Sequence, residues 1–221
     1  MSRYDRLFEL SSFSKEKFSL LQSKKVLLIG VGGVGQTVAT NLITNGIKHL
    51  TIVDFDKVEL SNLNRQILLK EEDNEKEKVQ IVLNELKKKN SEALINAHNL
   101  KVDESNIDRF VKGTDIVIDA VDNWKTKLII AASCKKNHVP LLHIGVDGYK
   151  GQWCIFEKKS LLDLFDEEIL HEPRDGVMGP MVSSVASLAT LHLFNYLLKE
   201  AQPDELYYFD GRTAQIGRVK I

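Results

Sequence analysis

Cysteine is nearly missing from this chain of 221 residues, which carries only Cys134 and Cys154. Two distant cysteines build neither a disulfide framework nor a four-cysteine zinc site, so both read as small buried hydrophobes. The histidines, His49, His98, His138, His143, His171 and His192, show no HxxxH or HExxH spacing and read as scattered core or surface residues, with no zinc site built by the protein. Long apolar runs are lacking as well. No stretch approaches the roughly eighteen residues that a membrane helix needs. The polar start MSRYDRLFEL also lacks the form of a secretory signal, so a cytoplasmic protein without a membrane partner is expected. Nor is there an excess of one charge: 28% of residues are charged, yet the net charge is −1, which argues against a nucleic-acid partner and an acidic tail. No repeat, low-complexity linker or composition break divides the chain, and its length suits one domain over residues 1–221.

What is present begins at Lys25. The apolar run from Val26 to Ile29 enters the turn Gly30-Val31-Gly32-Gly33-Val34-Gly35, and a helical pattern with Val34, Val38 and Leu42 on one face follows and stops at Gly46. A second apolar run, Leu50 to Val53, ends on Asp54, 24 residues after Gly30. Strand, glycine turn, helix and a distant acidic residue together predict a nucleotide site. Gly30 allows the tight turn, Gly32 allows close approach of the backbone, Gly35 allows close helix packing, and Asp54 takes a ribose hydroxyl. The N–H groups at the helix start, Gly33 among them, face phosphate at the positive end of the dipole. The glycine turn alone leaves an NAD-dependent oxidoreductase and a non-catalytic nucleotide-binding dimerisation module as alternatives.

Beyond Asp54 the polar segment Phe55 to Gln66 runs into a short helix predicted to end near Leu69. Its density of Asp56, Asn62, Arg65 and Gln66 suggests a clamp on ribose and phosphate, since arginine offers a fixed fork of donors, although a capped surface turn has the same composition. A helix is predicted from Lys76, with Val79, Val82, Leu83 and Leu86 on its apolar face. Lys78 lies in its first turn, where a cation opposes the dipole unless an anion is near. A strand over 94–102, a short helix over 105–112 and a buried strand over 116–121 follow. The pair Asp122-Asn123 comes next, before a helix from Trp124 to Asn137. Asp122 could simply cap that helix. In an open α/β sheet, however, Gly30, Asp54 and Asp122 should all lie beyond the carboxyl ends of strands, where ligands gather. Strands over 140–145 and 151–156, a charged connection over 157–176, a helix over 181–198 and a closing hairpin complete the pattern. The fold class is α/β, a Rossmann-like and mostly parallel sheet with helices on both faces and antiparallel strands added at the C-terminal end.

These residues resemble the E1-like adenylating enzymes, the family of ThiF, MoeB and HesA and of the adenylation domains of ubiquitin-activating enzymes. The resemblance spans nearly the whole chain. It rests on RYDRL, GVGGVG, DFDKVELSNLNRQ, the Lys76-Glu77-Lys78 helix start, VIDAVDN, GYKGQ, GVMGP and the terminal RVKI. It implies attack of a carboxylate on the α-phosphate of ATP bound with Mg, giving an acyl adenylate and pyrophosphate. Carried over, Asp54 would hold ribose, Arg65 and Lys78 the triphosphate, Asp122 the magnesium, and Asn62, Gln66 and Asn123 the rest of the ATP site. Arg6 matches an arginine that, in dimeric members, reaches into the neighbouring subunit's site, which implies a homodimer.

Two departures narrow the resemblance. The paired CxxC zinc motifs of many bacterial members are absent, and the segment just before Gly176 reads His171-Glu172-Pro173-Arg174-Asp175, with no cysteine. The chain should therefore stop at the adenylate and leave the thiol or other nucleophile to a separate protein. Its carboxylate would be either the C-terminal glycine of a small ubiquitin-like sulfur carrier or a small molecule. A guanylylpyridinol carboxylate, activated by a short ThiF-like enzyme of iron-guanylylpyridinol cofactor biosynthesis, would be one such molecule.

Overall fold

The structure, a computed structural model, describes residues 2–164 and 176–221. Helices α1 (Asp5–Phe8) and α2 (Lys15–Ser23) precede strand β1 (Lys25–Ile29), helix α3 (Gly33–Thr44) and strand β2 (His49–Asp54). Helix α4 (Lys78–Lys89), strand β3 (Leu94–Asn99), helix α5 (Asp108–Val111), strand β4 (Ile116–Asp119) and helix α6 (Trp124–Asn137) continue the alternation. Strands β5 (Leu141–Asp147) and β6 (Lys150–Phe156), helix α7 (Gly179–Leu197) and strands β7 (Glu205–Asp210) and β8 (Gln215–Lys220) complete the described part.

The strands form one sheet in the order β3-β2-β1-β4-β5-β6-β7-β8. Pairing is parallel from β3 through β5 and antiparallel from β5 through β8. Val26 to Ile29 and Ile116 to Asp119 are buried on both faces, which explains why these strands read as continuous apolar runs rather than alternating ones. Alternate residues serve different layers. Val26, Leu28, Ile52 and Ile118 pack with Val38, Val82 and Val185 of α3, α4 and α7, whereas Leu27, Ile29, Val53 and Val117 pack with Val111 and Ile130 of α5 and α6. Burying each of these wholly covered side chains contributes about 1.5–3 kcal/mol. The chain leaves β1 toward β2 on one side, and later passes to β4 on the other. The crevice between β1 and β4 is therefore the topological switch point where open α/β sheets take ligands.

Several boundaries differ from the sequence expectation. No helix runs to Leu69. A single 3-10 turn covers Leu60–Asn62, and reverse-turn bonds such as Leu69 N–H to Gln66 O follow it. Asn62 bonds back to the Glu59 N–H, the kind of local competition by which polar side chains prevent helix propagation. Helix α4 starts at Lys78 because Lys76 and Glu77 are held extended against Val58 and Lys57. Strand β3 ends at Asn99, α5 begins at Asp108, and β4 ends at Asp119. Of the expected connection over 157–176, residues 165–175 lie outside the described residues.

Candidate active site

The glycine turn is built as its residue types demand. Gly30 has φ of +89°, and a Cβ there would stand 2.7 Å from the Ala120 carbonyl oxygen, so β4 closes on the turn only without a side chain. A Cβ at Gly35 would overlap the Gly30 carbonyl oxygen, which makes Gly35 the residue that seats α3 against the strand. Gly32 differs, because a Cβ there meets nothing nearer than the Gln66 amide nitrogen at 3.9 Å. Gly32 also stands as the N-cap of α3 without a side-chain cap, so the positive end of that helix opens on the crevice.

A cavity of about 810 Å³ opens at this point. The fold brings Gly30, Gly32, Gly33, Asp54, Asp56, Asn62, Arg65, Gln66, Lys78, Asp122 and Asn123 to its wall. Gly35 lies behind the turn and does not line it, and Arg6 is outside it. The Arg6 guanidinium is exposed on α1 and pairs with Glu9 at 2.7 Å.

The polar residues are held by the protein itself. Asp54 Oδ2 accepts from the Val31 N–H at 2.7 Å and Oδ1 from the Asp56 N–H at 2.8 Å. Burial raises the Asp54 pKa above the ordinary carboxyl value, opposed first by Lys78 and then by these two N–H donors. Lys78 is buried, and its Nζ pairs with the half-exposed Asp56 carboxylate at 3.1 Å. An anion does accompany this cation at the helix start, as its placement requires, and within the chain that anion is Asp56. Backbone bonds from Lys78 N to Asp56 O and from Val58 N to Lys76 O stitch the two segments together and hold the ammonium at the cavity.

Arg65 bonds the Ser61 carbonyl and the Asn64 side chain, both at 2.9 Å. The backbone of this segment is gripped from two sides. A Cβ at Gly33 would stand 3.1 Å from the Arg65 carbonyl oxygen, and one at Gly179, the first residue of α7, would stand 2.5 Å from that of Asn64. Inside, fully buried Gln36 links the turn to the clamp. It donates to Val31 O and to Gln66 Oε1, and it accepts from the Leu68 N–H. Gln36 was not singled out by the sequence, and Gly179 entered only as part of GVMGP, because each acts through a contact with a distant backbone. At the end of β4, Asn123 is the N-cap of α6, accepting from the Thr126 N–H at 2.9 Å. The capping alternative raised for Asp122 thus belongs to its neighbour, and Asp122 stands at the cavity wall.

A buried polar group that the sequence reading passed over lies next to it. Asp119, the last residue of β4, accepts Lys127 Nζ at 3.1 and 3.0 Å, pairs with His143 Nδ1 at 2.9 Å, and accepts the Val121 N–H at 3.2 Å. Lys127 also donates to the Ile144 carbonyl oxygen. Burial works to raise the Asp119 pKa, but Lys127 and His143 outweigh it and hold the carboxyl below its ordinary value. The His143 pKa is lowered by burial and by Lys127, against the pull of Asp119. The only sequence signal was an aspartate closing an otherwise apolar strand.

This arrangement matches a known group along nearly its entire length. The model of the ThiF family matches residues 4–221. The chain belongs to the ThiF family. Among its relatives, a probable molybdopterin-synthase adenylyltransferase of Gracilaria tenuistipitata var. liui is 35% identical over 80% of this chain and 52% of its own length. The Escherichia coli K12 sulfur carrier protein ThiS adenylyltransferase is 30% identical over 96% of this chain and 88% of its own length. The chain therefore spans about half of the first relative and most of the second. The fold superposes on the crystal structure of E. coli MccB with ATP with a TM-score of 0.87, at 22% identity, over 99% of this chain and 71% of that one.

Proposed function

We infer that this ThiF-family chain, taken as one adenylation domain over residues 1–221, is an ATP-dependent adenylyltransferase of carboxylates. The observation that carries this reading is the convergence of Gly32 and the start of α3, Asp54, Arg65, Lys78 and Asp122 on one cavity at the switch point. Asp54 would hold the ribose, and the open face of Gly32 leaves room for phosphate. Lys78 and Arg65 would stand against the triphosphate as fixed cations, oriented before substrate arrives by Asp56, Ser61 and Asn64. A substrate carboxylate oxygen attacks the α-phosphorus, the bond to the bridging oxygen of the β-phosphate breaks, and pyrophosphate leaves as the acyl adenylate forms.

Asp122 fits a magnesium ion, because this exposed residue lines the cavity and the cap of α6 is Asn123 rather than Asp122. One or two carboxylates plus phosphate oxygens and water are what that ion takes. When bound, the ion would neutralise developing charge on the phosphates. Arg6, exposed on α1, is the residue we place at a homodimer partner's cavity. The acyl substrate is a carrier's terminal glycine or a small-molecule carboxylate, and a separate protein supplies the next nucleophile. Cytoplasmic residence accords with two buried free cysteines. Among the described residues, no helix is long and apolar enough to cross a membrane.

The test is exchange of labelled pyrophosphate into ATP with Mg²⁺ and candidate carboxylates. Exchange that appears with one carboxylate and needs Mg²⁺ supports the reading. A second reading, a nucleotide-binding module without chemistry, draws on the fact that Lys78, Arg65 and Asn123 are each satisfied inside the protein. Its signature is ATP binding in calorimetry with no exchange for any acid. NADH binding tighter than ATP would replace both readings with an oxidoreductase.

A further inference from the structure

Beyond the nucleotide residues the cavity continues over the antiparallel part of the sheet, where Lys150, Gln152, Tyr208, Asp210 and Gln215 line it. Register sets Gly145 of β5, Gln152 of β6, Tyr208 of β7 and Gly217 of β8 in one row across the strands. Cross-strand partners share a face, so all four residues belong to the face that bears the cavity.

This row has a glycine at each end and a long side chain on each inner strand. A Cβ at Gly217 would overlap Cζ, Oη and Cε2 of Tyr208, so the outer edge of the ring lies over β8 where a side chain would otherwise stand. At the other end, a Cβ at Gly145 would stand 3.2 Å from Gln152 Cγ and 3.3 Å from its Nε2, so Gln152 leans over β5. The two side chains therefore part above the seam between β6 and β7. Covering a glycine on an outer strand stabilises a hairpin, but it uses only one side of the ring. Tyr208 remains 52% exposed and lines the cavity, so the other side is open to a ligand.

The backbone beneath offers little to a ligand. Strand β6 pairs with β5 and β7, and β7 pairs with β6 and β8, so their N–H and C=O groups are engaged within the sheet. A peptide tail held as an added strand needs a free edge, and in this row the free edge is that of β8, beyond Tyr208. A planar ring needs only a flat apolar face against which it can pack offset or edge-on.

We propose that Tyr208 is the platform for the acyl substrate, and that the acid to be activated is an aromatic carboxylate whose ring packs on the open side of Tyr208. The proposal rests on the adenylation reading for identifying the ligand here as that acid. Gly217 is a positioning residue, because its lack of a side chain lets the ring lie across the sheet. Gln152 bounds the gap on the opposite side. A puckered aliphatic acid with the same carbon skeleton fills the same gap but cannot match the face of the ring.

The experiment uses the full chain with carbon-13 in its tyrosine rings, Tyr208 being assigned by the signals that vanish in Tyr208→Leu. The probes are benzoate and cyclohexanecarboxylate, which share a carbon skeleton, and glycylglycine, each titrated with and without MgATP. Benzoate should shift the Tyr208 ring signals and bind about twofold to tenfold more tightly than cyclohexanecarboxylate, the size of one aromatic pair. Tyr208→Leu should erase that preference, and Tyr208→Phe should retain it. Gly217→Ala should weaken it while melting near the parental temperature, because the added methyl displaces only the far end of a flexible side chain. Equal binding of the two acids, a preference that survives Tyr208→Leu, or a Tyr208 shift produced by glycylglycine alone overturns the proposal, whether or not ATP binds. Benzoate packing on Tyr208 without any ATP binding upholds the aromatic site and instead overturns the adenylation reading.

Discussion

The two halves of the cavity wall handle charge in opposite ways. On the half between β1 and α4, Lys78 and Arg65 are cations held at the cavity by single or mixed contacts. Their partners are a half-exposed aspartate, a carbonyl and an amide. On the half between β4 and β6, the Lys127 cation is held inside the protein on a fully buried carboxylate, which also pairs with His143. The first half is suited to receive a highly charged ligand. The second keeps its charge paired within the fold. Cations facing a phosphoryl centre stabilise charge as it develops, whereas a buried ion pair is neutral to anything that approaches it.

The sharpest way to break this contrast is to remove one lysine from each half. Lys78→Ala should lower the pyrophosphate-exchange rate by about 10²–10³-fold, the cost of losing one preorganised charge donor, with the smaller stability loss of the two because its partner Asp56 is half-exposed to water. Lys127→Met should do the reverse and cost about 3–5 kcal/mol of stability in urea unfolding, because Asp119 is left charged and buried without its partner. If Lys127→Met unfolds at the parental midpoint, the second half is not a stability device, and the comparison fails.

Two glycines sharpen the same boundary. Gly35→Ala should destabilise the fold by about 1–3 kcal/mol, since its methyl meets the Gly30 backbone, which cannot move independently of the strand. Gly32→Ala should fold normally and lose ATP affinity, because its methyl enters open space where phosphate is proposed to lie. Thermal melts and calorimetry separate the two effects.

The smallest effect is in the pH dependence, and the signs differ between halves. Burial raises the folded pKa of Asp54 above its unfolded value. The folded state then holds that proton more tightly, and stability falls as pH climbs from the unfolded value to the folded one. Lys127 and His143, outweighing burial, lower the folded pKa of Asp119. That contribution is present above the unfolded value and is lost as pH falls toward the lower folded one. Carbon-13 carboxyl titrations should therefore place Asp54 above and Asp119 below the ordinary aspartate range, and a matching pair of titrations would remove the distinction.

Much of the geometry around the glycine turn was legible because it is local. Gly30 to Gly35 lie on one turn, Asp54 closes the next strand, and Asn62, Arg65 and Gln66 share one clamp, so spacing along the chain is close to spacing in the fold. Helix α6 was found at its true ends because Asn123 caps it and its continuation stops at His138 in a left-handed conformation. The helix predicted to reach Leu69 was misplaced because Asn62 competes for backbone donors, an effect that apolar periodicity does not register.

By itself, then, the sequence determined the alternation of strands and helices, the position of the glycine turn and the family to which the chain belongs. Short-range patterns encode each of these through hydrophobic period, turn chemistry and motif spacing. Tertiary structure alone decided that Asp56 accompanies Lys78, that Gln36 ties the turn to the clamp, that Gly179 presses α7 onto Asn64, and that Asp119 gathers Lys127 and His143. These contacts join residues on separate elements, and only sheet register and helix packing bring them within reach. A buried carboxylate takes whatever donors that packing supplies, and nothing in the local sequence of β4 specifies that a lysine on α6 and a histidine on β5 will be those donors.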